Sequence, residues 1–287
     1  MISRRSVLAA AGLGLAGNAD ADESDLVRIL QFGNDYQTSY MQQLMVLALG
    51  RSSRAYRMQP VSMHLVQSRA LIELIKPEPS LDVFWTITDA NRERRGPLVV
   101  RIPIDRGLLG WRIALVRRSQ RNRWKQLRTQ SQLALYSAVQ VADWSDTAIL
   151  RANGLPVETT TYYDACFEML ARGQVDYFPR SIMEIGGELE SHRNMDLVIE
   201  PHLLLHYPSA QYFFVSPARP RLAADLEKGL ESLVADGTVR RMFHETFGNL
   251  VDRYDMKQRV TLMLNNPLLS PQTPLQRTEL WWSPKEG

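Results

Sequence analysis

Residues 81–93 read Leu81-Asp82-Val83-Phe84-Trp85-Thr86-Ile87-Thr88-Asp89-Ala90-Asn91-Arg92-Glu93. The stretch Leu81 to Trp85 is apolar except for Asp82, the pattern of a strand buried on both faces. Working upstream, Ser68 to Ile75 has helical periodicity and is stopped by Pro77 and Pro79, and Tyr56 to Met63 alternates as a strand. Tyr40, Leu44, Leu47 and Leu49 share one side of a helix closed by Gly50, and Asp25 to Phe32 opens the series as a strand ending at Gly33-Asn34-Asp35. Three strands separated by two helices predict an α/β fold with a parallel sheet covered on both faces.

Downstream, Ile102-Pro103-Ile104 and Trp111 to Val116 are extended segments joined through Gly107 and Gly110, a suitable place to cross into a second lobe. A smaller αβ series follows, with strands at Leu133–Val141, Val157–Thr160 and Val175–Phe178. Its helices are Ser145–Asn153, Tyr163–Arg172 and Ser181–Glu190, the first two closed by Gly154 and Gly173. Leu203 to Val215 is extended around Pro208 and returns the chain to the first lobe. Leu222, Leu226, Leu230 and Leu233, then Val239, Met242, Phe243 and Phe247, mark two more helices. The Pro-rich tail from Asn265 to Gly287 reads as a strap over the first lobe. The expected division is 22–114 with 209–287 as lobe 1 and 115–208 as lobe 2.

The chain has 287 residues, 45% of them apolar, enough for two such cores and too hydrophobic for a disordered protein. Lys plus Arg exceed Asp plus Glu by only 34 to 31, so overall charge does not select a polyanionic partner. Six basic residues lie between 117 and 128 around Trp124, a pattern seen in nucleic-acid sites. The reading favoured here is a solvated face with Trp124 and Leu127 turned inward, and no nucleic-acid partner. One cysteine, Cys166, excludes an intramolecular disulfide framework and thiolate-rich metal sites. His202 and His206 are four apart in an extended stretch, which separates them by roughly 13 Å, so no metal site is expected.

Residues 1–21 have the plan of a secretory signal: Arg4-Arg5, an apolar run from Val7, and small residues at Ala19-Asp20-Ala21. Ser3-Arg4-Arg5-Ser6-Val7-Leu8 also fits the twin-arginine route, and both routes lead to a periplasmic location. The Gly12-Leu13-Gly14-Leu15-Ala16-Gly17 run spells a dinucleotide fingerprint, but it lacks the flanking strand and helix such a site needs.

In several stretches the residues resemble bacterial extracellular solute-binding protein family 3, the receptors of polar amino-acid ABC importers, in an uncharacterised branch. Leu81 to Glu93 looks like the family's first-lobe run, and Ile102-Pro103-Ile104 with Gly107-Leu108-Leu109-Gly110-Trp111-Arg112 like its passage toward the first crossover. Asp143 to Leu150 and Phe167 to Arg180 resemble its second lobe. The resemblance covers roughly residues 25–250. It implies a type 2 periplasmic-binding fold, each lobe a mainly parallel sheet flanked by helices, with two hinge crossovers. It also implies a monomeric receptor that captures a small polar solute for a membrane permease, with no cofactor.

By resemblance, Arg92 pairs with a ligand carboxylate through its planar fork, with Arg94 as the rival, and Thr86 and Thr88 add hydroxyls at the same strand end. Trp85 and Trp144 are candidate cleft walls, with a core position open to both. Asp146 and Thr147 fall in a first helical turn, where free N–H groups hold an anion or a cap. The family's ammonium-binding acid falls on Ser181, which carries no charge, so Arg180 or Glu184 reshapes that end of the cleft. Two alternatives share the fold: a ligand sensor for a signalling partner, and a dehydratase-like enzyme using Glu184, Glu188 or Asp146.

Overall fold

The computed structural model describes residues 25–31, 36–63, 65–284 and 286, so the expected export signal lies outside the described residues. In chain order the first elements are β1 (Asp25–Leu30), α1 (Tyr36–Leu49), β2 (Tyr56–Val61), α2 (Gln67–Leu74), β3 (Val83–Ile87), α3 (Ala90–Arg94), β4 (Leu98–Val100) and β5 (Trp111–Arg117). Then come α4 (Gln130–Leu133), β6 (Ala138–Val141), α5 (Ser145–Ala152), β7 (Val157–Thr160), α6 (Tyr163–Ala171), β8 (Phe178–Ser181), α7 (Ile185–Ser191) and β9 (Leu197–Ile199). The chain finishes with β10 (Leu203–His206), β11 (Gln211–Val215), α8 (Pro220–Ala235), α9 (Thr238–Arg253) and β12 (Val260–Met263).

The first sheet has the order β2-β1-β3-β11-β4. Its β1 runs parallel to β2 and β3, and β11, arriving from far along the chain, inserts antiparallel between β3 and β4. This lobe is therefore built from two separated stretches. Asp82, the one charge in the apolar run, is fully buried and pins them together: it accepts from the Arg28 backbone N at 2.7 Å and from Arg28 Nε and Nη2 at 3.0 and 2.8 Å, while Arg219 reaches it at 3.3 Å. A buried carboxylate persists only with such partners. On one face α8 packs against α1, and Gly229 makes the close approach possible, because a methyl group there would overlap the Ala48 carbonyl.

The second lobe differs from a mainly parallel sheet. Its β5 runs antiparallel to β8, β9 and β10, and the parallel pattern survives in the β10–β12 and β6–β7 pairs. The reason is that both crossover strands, β5 and β10, pass through it in opposite directions. Residues 175–178, expected as a strand, instead join the two parts: Ala138 bridges Tyr177, Val139 N donates to the Tyr177 carbonyl at 3.0 Å, and β8 begins at Phe178. The expected strand from Leu133 starts only at Ala138. Thr129 and Gln132 form a reciprocal capping box that winds the preceding residues into α4. Trp124 and Leu127 are buried while Arg118, Arg121, Arg123, Lys125 and Arg128 are exposed, a solvated basic face.

The crossovers meet where β5 pairs with β10, Trp111 opposite His206 and Arg112 opposite Leu205. The Trp111 indole stacks on the His206 imidazole with centroids 3.9 Å apart, and Gly110 lets the backbone pass the Tyr207 carbonyl, where a side chain would overlap. The tail, read from sequence as a strap over the first lobe, touches both lobes. It follows β12, which extends the hinge ladder; Asn265 exchanges bonds of 2.7 and 2.9 Å with Asn153 at the end of α5, and the Leu268 carbonyl accepts from Ala90 N at 2.8 Å.

Two outcomes follow from this packing. Gly229→Ala should lower unfolding free energy by about 1–3 kcal/mol in urea titrations, because the overlap is with backbone, whereas Gly187→Ala, which meets nothing, should not. Burial pushes His206 from its ordinary 6.5 down to about 4. The unfolded chain takes up a proton that the folded hinge refuses, so this contribution is complete above pH 6.5 and is lost as pH falls from there toward 4. His206→Phe should remove that part of the slope, at most about 1.4 kcal/mol per pH unit, and an unchanged slope would place its origin elsewhere.

Candidate functional site

A cavity of about 620 Å³ opens between the lobes. From the first lobe it is lined by the start of α2 (Val66, Gln67, Ser68), by Ile87 at the end of β3, by Arg92 on α3 and by Leu109. Across from these stand Asp143, Trp144, Ser145 and Asp146 at the start of α5, with Arg180, Glu184 and the crossover residue Arg112.

Arg92 is held from behind. Asp89 caps α3, its Oδ1 accepting from Arg92 N at 2.9 Å, and its Oδ2 lies 3.2 Å from Arg92 Nε. Arg92 Nη1 donates to the Ile87 carbonyl at 2.6 Å and to Thr86 Oγ1 at 3.2 Å. Nη2 has no hydrogen-bond acceptor among the described residues, so one arm of the fork remains for a guest. Burial lowers the pKa of this guanidinium, Asp89 opposing the shift.

The other first-lobe candidates do not line the cavity. Thr86 is buried as an acceptor for Arg92, and Thr88 donates to Glu93 at 2.8 Å. Trp85 sits in the core, edge-on to Phe213 with centroids 6.1 Å apart. Arg94, the rival anchor, is exposed and bonded to Asn91.

On the second lobe, Trp144, Asp146 and Arg180 reach the cavity and Thr147 and Ser181 do not. Thr147 donates its hydroxyl to the Val141 carbonyl at 2.9 Å, and Ser181, fully buried, accepts from Met183 N at 3.3 Å. Arg180 lies 4.6 Å over the Trp144 ring. Its Nε donates to both oxygens of Glu188 at 2.9 and 2.8 Å, and its Nη2 stands 3.0 Å from Glu184. Burial opposes this charge, but Glu184 and Glu188 outweigh it and raise the pKa.

Arg112 is the residue that the sequence reading missed. It is 3% exposed, with Nη2 at 3.1 Å from Asp146 and Nη1 at 3.6 Å from Glu184, and its guanidinium lies over the Tyr207 ring at 5.6 Å. The Tyr207 hydroxyl also donates to Asp146. Burial works against the Arg112 charge, and Asp146, followed by Tyr207 and Glu184, more than compensates. Its signal was present in Trp111-Arg112-Ile113-Ala114: a guanidinium inside an apolar crossover must find a partner. Among the described residues no group of three His, Cys, Asp or Glu could hold a metal ion.

No family model matches the chain, and no curated protein matches it in sequence. Solved structures do match. The probable amino-acid ABC transporter extracellular-binding protein ytmK of Bacillus subtilis superposes with a TM-score of 0.57 at 16% identity, over 79% of this chain and 99% of that one. The VFT2 domain of BvgS from Bordetella pertussis gives 0.52 at 14% identity, over 78% and 93% of the two chains. An ancestral arginine-binding protein bound to arginine gives 0.51 at 13%, over 78% and 98%. Identities this low establish the fold, and the fold is the two-lobed periplasmic-binding one.

The Arg112 network carries a stability consequence. Asp146→Asn leaves a buried guanidinium short of its nearest carboxylate and should cost about 3–5 kcal/mol in denaturant titrations. Asp143→Asn, exposed in the same cavity, should stay within about 0.5 kcal/mol.

Proposed function

We propose that this chain is an extracytoplasmic receptor that captures a small polar, carboxylate-bearing solute, amino-acid-like in size, between its lobes and delivers it to an ABC-type importer. The observation that carries this reading is Arg92, fixed by Asp89, Thr86 and the Ile87 carbonyl at the end of β3, with one arm unbonded in a cavity shared by both lobes. A carboxylate docking there exchanges water for a charge-assisted hydrogen bond.

Closure then brings α5 and β8 over the guest, turning about the Trp111–His206 and Arg112–Leu205 pairs. Trp144, backed by the Arg180 guanidinium, offers an apolar wall. With Ser181 buried, Glu184, one of three carboxylates in the cavity with Asp143 and Asp146, meets a positive end of the solute. The lobes in this reading are residues 22–114 with 209–287, and 115–208, except that β12 joins the second-lobe sheet beside β10. A receptor is favoured over a dehydratase-like enzyme because each candidate acid or base already stands in an ion pair: Asp146 with Arg112, and Glu184 and Glu188 with Arg180.

A thermal-shift screen of amino acids and small organic acids, followed by calorimetry, tests it. The expected result is a carboxylate solute that raises the melting temperature, is recovered unchanged after incubation, and binds about 10–100-fold more weakly to Arg92→Ala. A solute that binds Arg92→Ala as tightly, or that is consumed, would overturn the assignment.

A further inference from the structure

A second cavity, of about 280 Å³, lies in the first lobe between the start of α9 and the tail. Arg106 and Arg240 line it, together with Gly237, Val239 and Glu286. Arg106 is almost wholly buried and is one of two non-glycine residues with positive φ among those described, at +50°. The turn that imposes this is built on buried Asp105, whose carboxylate accepts from Gly107 N at 3.1 Å, Leu109 N at 3.0 Å and Gln211 N at 3.3 Å. A strained backbone held this firmly aims the side chain at one place.

That place holds a carboxylate. Arg106 Nη2 lies 3.0 Å from each oxygen of Glu286, and Arg240 Nε lies 3.2 Å from Oε1. Arg106 Nη2 also stands 3.4 Å from the Glu279 and Trp281 carbonyls, and the guanidinium lies 5.2 Å over the Phe243 ring.

The donors exceed what Glu286 uses. Arg106 Nη1 is buried with no partner. At the start of α9, Thr238 N is taken by Asp236 at 2.9 Å, whereas the N–H groups of Val239 and Arg240 have no acceptor among the described residues. The positive end of a 16-residue helix adds to the same field.

From this geometry we infer that the Arg106–Arg240 cavity is an anion site, separate from the cleft, whose resting occupant is the Glu286 carboxylate and which takes a small free oxyanion when Glu286 is withdrawn. The occupant matters for the hinge. Arg106 precedes β5 by five residues, its carbonyl accepts from Trp282 N at 2.8 Å, and Trp282 packs edge-on against Trp111 with centroids 5.4 Å apart.

The test uses inorganic phosphate as the probe, with chloride at matched ionic strength as the control. Melting temperature is followed for the full chain, for Glu286→Ala and for Glu286→Ala/Arg240→Ala. Arg240 is more than half exposed, so the double variant should fold, which circular dichroism checks. The expected result is a saturable rise of about 3 °C in Glu286→Ala, a midpoint at least tenfold higher in the unaltered chain, and no rise beyond chloride in the double variant. A phosphate effect equal in all three proteins would come from the cleft and overturn the inference, as would a Glu286→Ala response no larger than that to chloride.

Discussion

A guanidinium buried at the junction of the two lobes has to be neutralised where it stands, and Arg112 imposes that condition on everything around it. It sits on β5 beside β10, the strand that returns the chain, and its nearest carboxylate, Asp146, belongs to the first turn of α5. Tyr207, one residue past β10, donates to the same carboxylate. One acid thus ties the outgoing strand, the returning strand and the helix that forms the second-lobe rim of the cleft. The cost of desolvating such a charge is offset only while all partners remain in register, so the hinge and that rim move as a unit.

The first lobe solves the parallel problem with opposite charges. There Asp82 is the buried group, and Arg28 and Arg219 bring β1, β3 and the start of α8 to it. Each of these buried charges ties together elements distant in sequence, and the cleft lies between the two frameworks. Arg92 is held from one side by Asp89, Thr86 and the Ile87 carbonyl and lines the cavity with no carboxylate of the facing lobe bonded to it. The tail adds a third tie, since Asn265 bonds to Asn153 in one lobe while Leu268 bonds to Ala90, the first residue of the helix that carries Arg92, in the other.

Much of this architecture was legible in the sequence because alternation and stop signals are local. The helices closed by Gly50, Gly154 and Gly173, the strand after Pro79 and the crossover from Trp111 needed no distant information. Arg92 as a cavity residue was legible through the resemblance, while the Asp89 cap that holds it was not read. Side-chain direction was harder. Trp85 and Thr86 are neighbours on a strand and point to opposite faces, so both could not reach one cleft, and the structure puts Trp85 in the core and Thr86 behind Arg92. Thr147 and Ser181 were read as site residues from their place in a helix start and a motif count, but their hydroxyls are taken up by backbone groups. The mixed second sheet and the path of the tail depend on pairings across 50 residues or more, which periodicity does not encode.

Lobe closure on a guest is the claim to measure most directly. Spin labels at Arg69→Cys on α2 and Tyr162→Cys before α6 occupy exposed positions of the two lobes, and the native Cys166 is fully buried, with its thiol pushed up to about 11 by burial. Double electron–electron resonance should give a separation that shortens and narrows when a carboxylate solute saturates the protein, and that stays put in an Arg92→Ala background. A separation unchanged by a solute shown to bind would contradict the account, since the lobes would then not close around what they hold.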